Sequence, residues 1–300
     1  MQMLSEQDAG NPTSSGPTVT TIYADTDTSL YTLDPATNNV TLVGAFAGFG
    51  SSSEGATDCA VNAAGDVYIN SEVAVYKAVL PASPGTVQLT NRVAIAVQQN
   101  QSFYALAFTP AGVLGPNETL VGGDGNGELW AINPATGALS DLGNFGSNPA
   151  HPSDILGVSG DIVFYFNSMG APTGLATIRS CSSGGSSCTK TDDYLAGIDM
   201  QALEMAYTSG TRAASLLAGV YGGGTNALGP GTQFGELFGL GAWQGTVYGF
   251  AHNPAQLVTI STTSGLGALV PNATEPMDGW AGAGVSTKTT ITVIAPPDLK

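Results

Sequence analysis

The chain reads as an all-β protein made from one antiparallel unit used several times. Three observations predict this. Two segments, LYTLDPATNNVTLVGAF from Leu30 and LWAINPATGALSDLGNF from Leu129, align without a gap and have the form of a hairpin: an alternating strand, a turn of Asp or Asn, Pro, Ala, Thr and Asn or Gly, then a second strand. A weaker copy, QLVTISTTSGLGALV, starts at Gln256. Five further segments place an acid at the entry to a small, apolar run: Asp58 in TDCAV, Asp154 in SDILGV, Glu204 in LEMAY, Glu236 in GELFGL and Asp278 in MDGWAG. Helical periodicity is almost absent; DMQALEMAYT alone fits an amphipathic turn, and it fits an acid-led strand about as well.

The elements follow in order. Residues 1–17 (MQMLSEQDAGNPTSSGP) have the composition of a disordered tether. Residues 18–46 supply three strands, TVTTIYAD, SLYTLD and NVTLVGAF, but none of the acid-led type. Residues 55–92, 101–146, 153–193 and 236–271 each parse as a unit, and 200–235 is the weakest. Residues 277–286 add an acid-led run without a continuation, so the two ends complete one unit between them. The two strong hairpin copies lie 99 residues apart, from Leu30 to Leu129, which suits two units of roughly 50 each, within the range of propeller blades. The expected architecture is therefore a β-propeller over 18–286, with six blades of four antiparallel strands. Five blades result if 194–235 is an insertion, and seven is a further alternative. Shared terminal strands close such a ring and remove its exposed edges. Residues 287–300 are an edge strand or tail.

Composition excludes several functions. The net charge is −16, from 23 acids against 7 bases, and only 10% of residues are charged. Nucleic acid is not an expected partner, because phosphate recognition needs clustered Lys and Arg. A polar or cationic small ligand, or a protein partner, suits the field better. No G-x-S-x-G, phosphate loop or dinucleotide fingerprint occurs. No apolar stretch is long enough to span a bilayer. Cys181 and Cys188 flank the flexible SSGGSS and are expected to form a disulfide, and Cys59 reads as a buried free thiol. The disulfide and the scarcity of Lys favour an extracytoplasmic protein, and the tether suits a trimmed or lipid-anchored precursor.

TDCAVNAAGDVYIN and SLYTLDPATNNVTLVG resemble blades of the NHL, YVTN and quinoprotein-like propeller repeats of exported bacterial proteins. The resemblance covers most of 18–286 and implies a fold more than an activity. In such a ring the innermost strands begin at one mouth, where Asp58, Asp154, Glu204, Glu236 and Asp278 would converge. Those carboxylates could hold Ca²⁺, which takes six to eight oxygens, or cap backbone amides of the next blade. His252 ends VYGFAHNP and could sit beside them, and Trp243 and Trp280 could stack on a sugar. GGDGNGELW, with Asp124, Asn126 and Glu128, is either a turn or a calcium loop; Asp25 and Asp27 occupy the same place in their own unit. The function expected is ligand or protein binding. Alternatives are a lactonase-like calcium hydrolase and a lectin-like propeller.

Overall fold

The computed structural model describes residues 21–96, 102–182, 188, 192–288 and 290–291. The tether at 1–17 and residues 292–300 are outside the described residues. Among the described residues the fold is all-β with one helix. In chain order the elements are β1 (Ile22–Asp25), β2 (Ser29–Asp34), β3 (Asn39–Ala47), β4 (Asp58–Val61), β5 (Val67–Ser71), β6 (Ala74–Val79) and β7 (Gly85–Ala94). Then come β8 (Phe103–Thr109), β9 (Thr119–Asp124), β10 (Glu128–Ile132), β11 (Leu139–Asn144), β12 (Ser147–Asn148), β13 (His151–Asn167), β14 (Pro172–Cys181) and β15 (Tyr194–Ile198). The chain continues through α1 (Met200–Ser209), β16 (Leu217–Val220), β17 (Leu237–Trp243), β18 (Thr246–Ala251), β19 (Gln256–Ile260), β20 (Gly267–Leu269), β21 (Gly282–Val285) and β22 (Thr290–Ile291).

The hairpins form as the repeated turn chemistry predicts. Asp34 accepts from Ala36 N and Thr37 Oγ1, while Asn133 accepts from Ala135 N and Thr136 N. Ser261 does the same for Thr263 N and Ser264 N in the weaker copy. Each turn closes through a left-handed residue, Asn38, Gly137 or Gly265, where Asn and Gly are tolerated. The β2–β3 and β10–β11 pairings even share a bulge at the same point, Leu30/Tyr31 and Leu129/Trp130.

Neighbouring strands build five groups of four rather than six. They are β21-β1-β2-β3, β4 to β7, β8 to β11, β13 to β16 and β17 to β20. The first two merge into one eight-stranded sheet where β3 and β7 pair in parallel. The expected unit at 200–235 does not exist as such, because its first run is helix α1. Asp199 caps that helix by accepting from Gln201 N and Ala202 N, and Gly210 ends it in the left-handed conformation. The remainder supplies β16, the outer strand of the fourth group.

The two chain ends pair as expected: β21 runs antiparallel to β1, with Ile22 opposite Val285 and Asp25 opposite Gly282. β22 adds to β13 in parallel, so the tail begins as an edge strand. The first strands of the groups also contact one another in succession, β4 with β8, β8 with β13, β13 with β17, β17 with β21 and β21 with β4. That succession returns to its start. Cores lie between adjacent groups. Ala60 and Val75 of the second, for example, pack on Phe103, Leu106, Phe108, Leu120 and Ile132 of the third. Each such large side chain contributes roughly 1.5–3 kcal/mol through burial. Along the circuit's interior, Ala60, Leu106, Ile162 and Ala283 line a gap of only about 10 Å³, so an apolar plug fills it.

Candidate functional site

Two carboxylates tie the circuit together. Asp58 opens β4 and is fully buried. Its Oδ1 accepts from Cys59 N at 2.7 Å and Ala283 N of β21 at 2.9 Å, and its Oδ2 accepts from Leu106 N of β8 at 2.5 Å. Asp161, within β13, repeats the arrangement two groups on: it accepts from Ile162 N and from Leu240 N of β17, both at 2.5 Å. A polar side chain on the adjacent strand takes the matching carbonyl. Asn70 Nδ2 donates to Phe103 O, and Thr177 Oγ1 donates to Leu237 O. Each pair thus grips the N–H and C=O of the next first strand. Asp58 and Asp161 also lie close enough to interact electrostatically. Burial holds both carboxyls well above the usual carboxylate range.

Above this layer lies a cavity of about 390 Å³, lined by Asp27, Tyr104, Arg179, Glu236, Phe238 and His252 among others. Bulges create it. The β8–β9 register skips Tyr104, the β17–β18 register skips Phe238, and the β13–β14 register skips Ser159 to Asp161. An extra residue in one strand leaves the ladder and re-aims its side chain. Tyr104, Phe238 and Ser159 all reach the cavity this way. Glu236 is held at φ 54°, unusual for a residue with a side chain, and its carbonyl accepts from Phe238 N and His252 N.

His252 is oriented by Trp280. Its Nδ1 lies 2.9 Å from Trp280 O. A carbonyl only accepts, so Nδ1 is the donor in this bond. The imidazole packs on Phe238 with centroids 5.0 Å apart. Behind the wall, buried Asp193 accepts from Ser159 Oγ at 2.6 Å and Leu237 N at 2.7 Å. Burial raises its pKa to about 6, against the opposing pull of those hydrogen bonds and of the Arg179 charge.

Of the residues expected at the mouth, Glu236 and His252 line the cavity and Asp58 lies just beneath it. The others do not converge there. Asp154 is seven residues before Asp161 on the same strand, bonded to Ser153 and Ser180. Glu204 is exposed on α1, and Asp278 is exposed in a turn. Trp243 ends β17 at its far turn, packed against the core. Trp280 is fully buried, edge-on to Tyr31 and Phe250, so neither tryptophan presents a stacking face at the mouth. The five acids therefore do not form a calcium ring. Asp124 is a turn residue, accepting from Asn126 N and Glu128 N, and Glu128 pairs with Arg212. Cys181 and Cys188 form the expected disulfide, and Cys59 is a buried free thiol.

Tyr104 and Phe238 escape sequence reading because a bulge leaves no mark on alternation, and Arg179, in regular register with Gly157, because nothing local marks its approach to the cavity. Asp161 was legible: DIVF repeats DCAV, with the acid 103 residues on from Asp58. Its preceding Gly160 instead suggests a turn.

No family model matches the chain, and no curated protein is similar to it. Among solved structures, a protein of unknown function from Bacteroides caccae is 12% identical, with 88% of this chain and 97% of that one covered and a TM-score of 0.40. A symmetrical protein from work on de novo evolutionary emergence is 15% identical, with coverage of 91% and 99% and a TM-score of 0.43. The computationally designed Ika8 protein is 13% identical, with coverage of 88% and 61% and a TM-score of 0.33. Similarity this low carries no argument about fold or function. Among the described residues no helix is long and apolar enough to cross a membrane.

Proposed function

We propose that the chain is a five-bladed β-propeller that binds a small polar ligand with a positively charged group in the cavity at one mouth. One observation carries this reading: a cavity of about 390 Å³ combines Asp27 and Glu236 with Arg179, His252 and two bulged aromatics. The carboxylates suit an ammonium or guanidinium, Arg179 suits an oxygen of the same ligand, and the rings supply apolar walls. The return of first-strand contacts to β4, and the pairing of β1 with β21, support the ring. The Cys181–Cys188 disulfide supports an extracytoplasmic location. A calcium hydrolase has less support, because only Glu236 of the five candidate acids lines the cavity.

Calorimetric titration with amino acids, short peptides and polyamines tests the site. A binder is expected to lose about tenfold or more in affinity in Glu236→Gln and in Tyr104→Ala, at unchanged circular dichroism. Binding that ignores both substitutions places the ligand elsewhere and ends this assignment.

A further inference from the structure

Below the cavity, the circuit encloses three carboxyl groups and a thiol: Asp25, Asp58, Asp161 and Cys59, all fully buried. Asp58 and Asp161 have work to do on backbone amides. Asp25 has none. Its counterpart six residues before the equivalent aromatic is Asp124, which caps its own turn through Asn126 N, Glu128 N and Trp130 Nε1. In the first group Thr26 Oγ1 takes over that duty, accepting from Thr28 N and Ser29 N. Both Asp25 carboxylate oxygens are left buried with no nitrogen or oxygen partner. They face inward instead: ligand atoms of Asp25, Asp58 and Cys59 all lie within 4.8 Å of one another.

Buried carboxylates must be neutralised, either by protons or by a cation. The ion pairs among the described residues, Lys77–Asp66, Arg92–Glu54 and Arg212 with Glu128 and Asp141, do not reach this cluster. We propose that Asp25, Asp58 and Cys59 form a site for one divalent metal ion of zinc-like character, with Asp161 beside it. The thiol sets the class. Calcium and magnesium prefer all-oxygen shells, whereas Zn²⁺ and Co²⁺ accept thiolate together with carboxylate. Asp58 already receives backbone N–H bonds, which would orient it as outer-shell donors orient ligating carboxylates. On binding, protons on the thiol and the carboxyls leave to water while metal–sulfur and metal–oxygen bonds form, with no change of oxidation state. Ala56 and Thr57, the residues immediately before Asp58 and Cys59, line the mouth cavity.

The test uses the whole chain refolded with Co²⁺, its Cys181–Cys188 disulfide intact. A thiolate-to-cobalt charge-transfer band is expected in the near ultraviolet, saturating at one ion per chain and displaced by Zn²⁺ but not by Ca²⁺. Cys59→Ser should remove the band, and Asp25→Asn should weaken binding about tenfold or more while keeping the far-ultraviolet dichroism of the parent. Tyr104→Ala, which alters only the cavity above, should leave metal binding unchanged, so the two sites can fail separately. If the refolded parent shows no band and zinc-supplemented cultures yield protein without stoichiometric zinc, the cluster carries protons alone and the proposal is overturned. Equal affinity in the parent and Asp25→Asn overturns it as well.

Discussion

Asp58 shows how much structure one side chain can hold. Its carboxylate joins three first strands through Cys59, Ala283 and Leu106. Asp58→Ala would strand those buried N–H groups, and a loss of about 3–5 kcal/mol is expected in urea denaturation, against within about 0.5 kcal/mol for exposed Glu204→Ala. Asp193 makes a different prediction. Its folded pKa of about 6 lies above the ordinary 3.8. Between these values the folded state holds a proton that the unfolded state has released, so its contribution to stability falls as pH rises from about 4 to 6. Asp193→Asn should flatten the stability curve over that window relative to the parent; an unchanged slope would show that Asp193 titrates normally. The type of residue needed at Asp58 was readable from TDCAV. The fate of Trp280 was not, because a tryptophan after Gly279 fits an exposed loop and a core anchor equally well.

Among the elements, hairpins were legible and bulges were not. The DPATN and NPATG turns depend on short-range hydrogen bonds and a left-handed residue, all of which are written locally. Gly137 (φ 73°) illustrates the constraint, since a Cβ there would meet Ala94 O at 1.9 Å, whereas at Gly65 (φ 85°) it would meet open space. Gly65→Ala should cost about 1 kcal/mol from its backbone conformation alone, and Gly137→Ala several times that, measured by thermal or urea unfolding. The bulges at Tyr104 and Phe238 arise where one first strand docks against the next, so no local pattern announces them. The segment 200–235 stayed ambiguous for a related reason. LEMAY has the pattern of an acid-led strand, but Asp199 can cap a helix of Met, Gln, Ala and Leu, and only the surrounding packing decides between the two.

For the molecule as a whole, the tie between its first and last long strands rests on four residues pairing with four, Ile22 to Asp25 with Gly282 to Val285. Ending the chain after Ala281 would remove β21, expose the edge of β1, and deprive Asp58 of Ala283 N. The expected result is loss of the cooperative thermal transition and formation of aggregates on size-exclusion chromatography, whereas ending after Lys288 should keep both the transition and the monodisperse peak. The all-β class, the repeated hairpins, the meeting of the first and last strands and the disulfide could all be read along the chain. Each of these depends on alternation, turn chemistry or spacing along the chain. The number of groups, the gathering of Asp25, Asp58 and Cys59, and the cavity beside them came from packing alone. Those features depend on which strand lies against which, and residues as far apart as Asp58 and Ala283 acquire their roles only when the tertiary fold brings their backbones together.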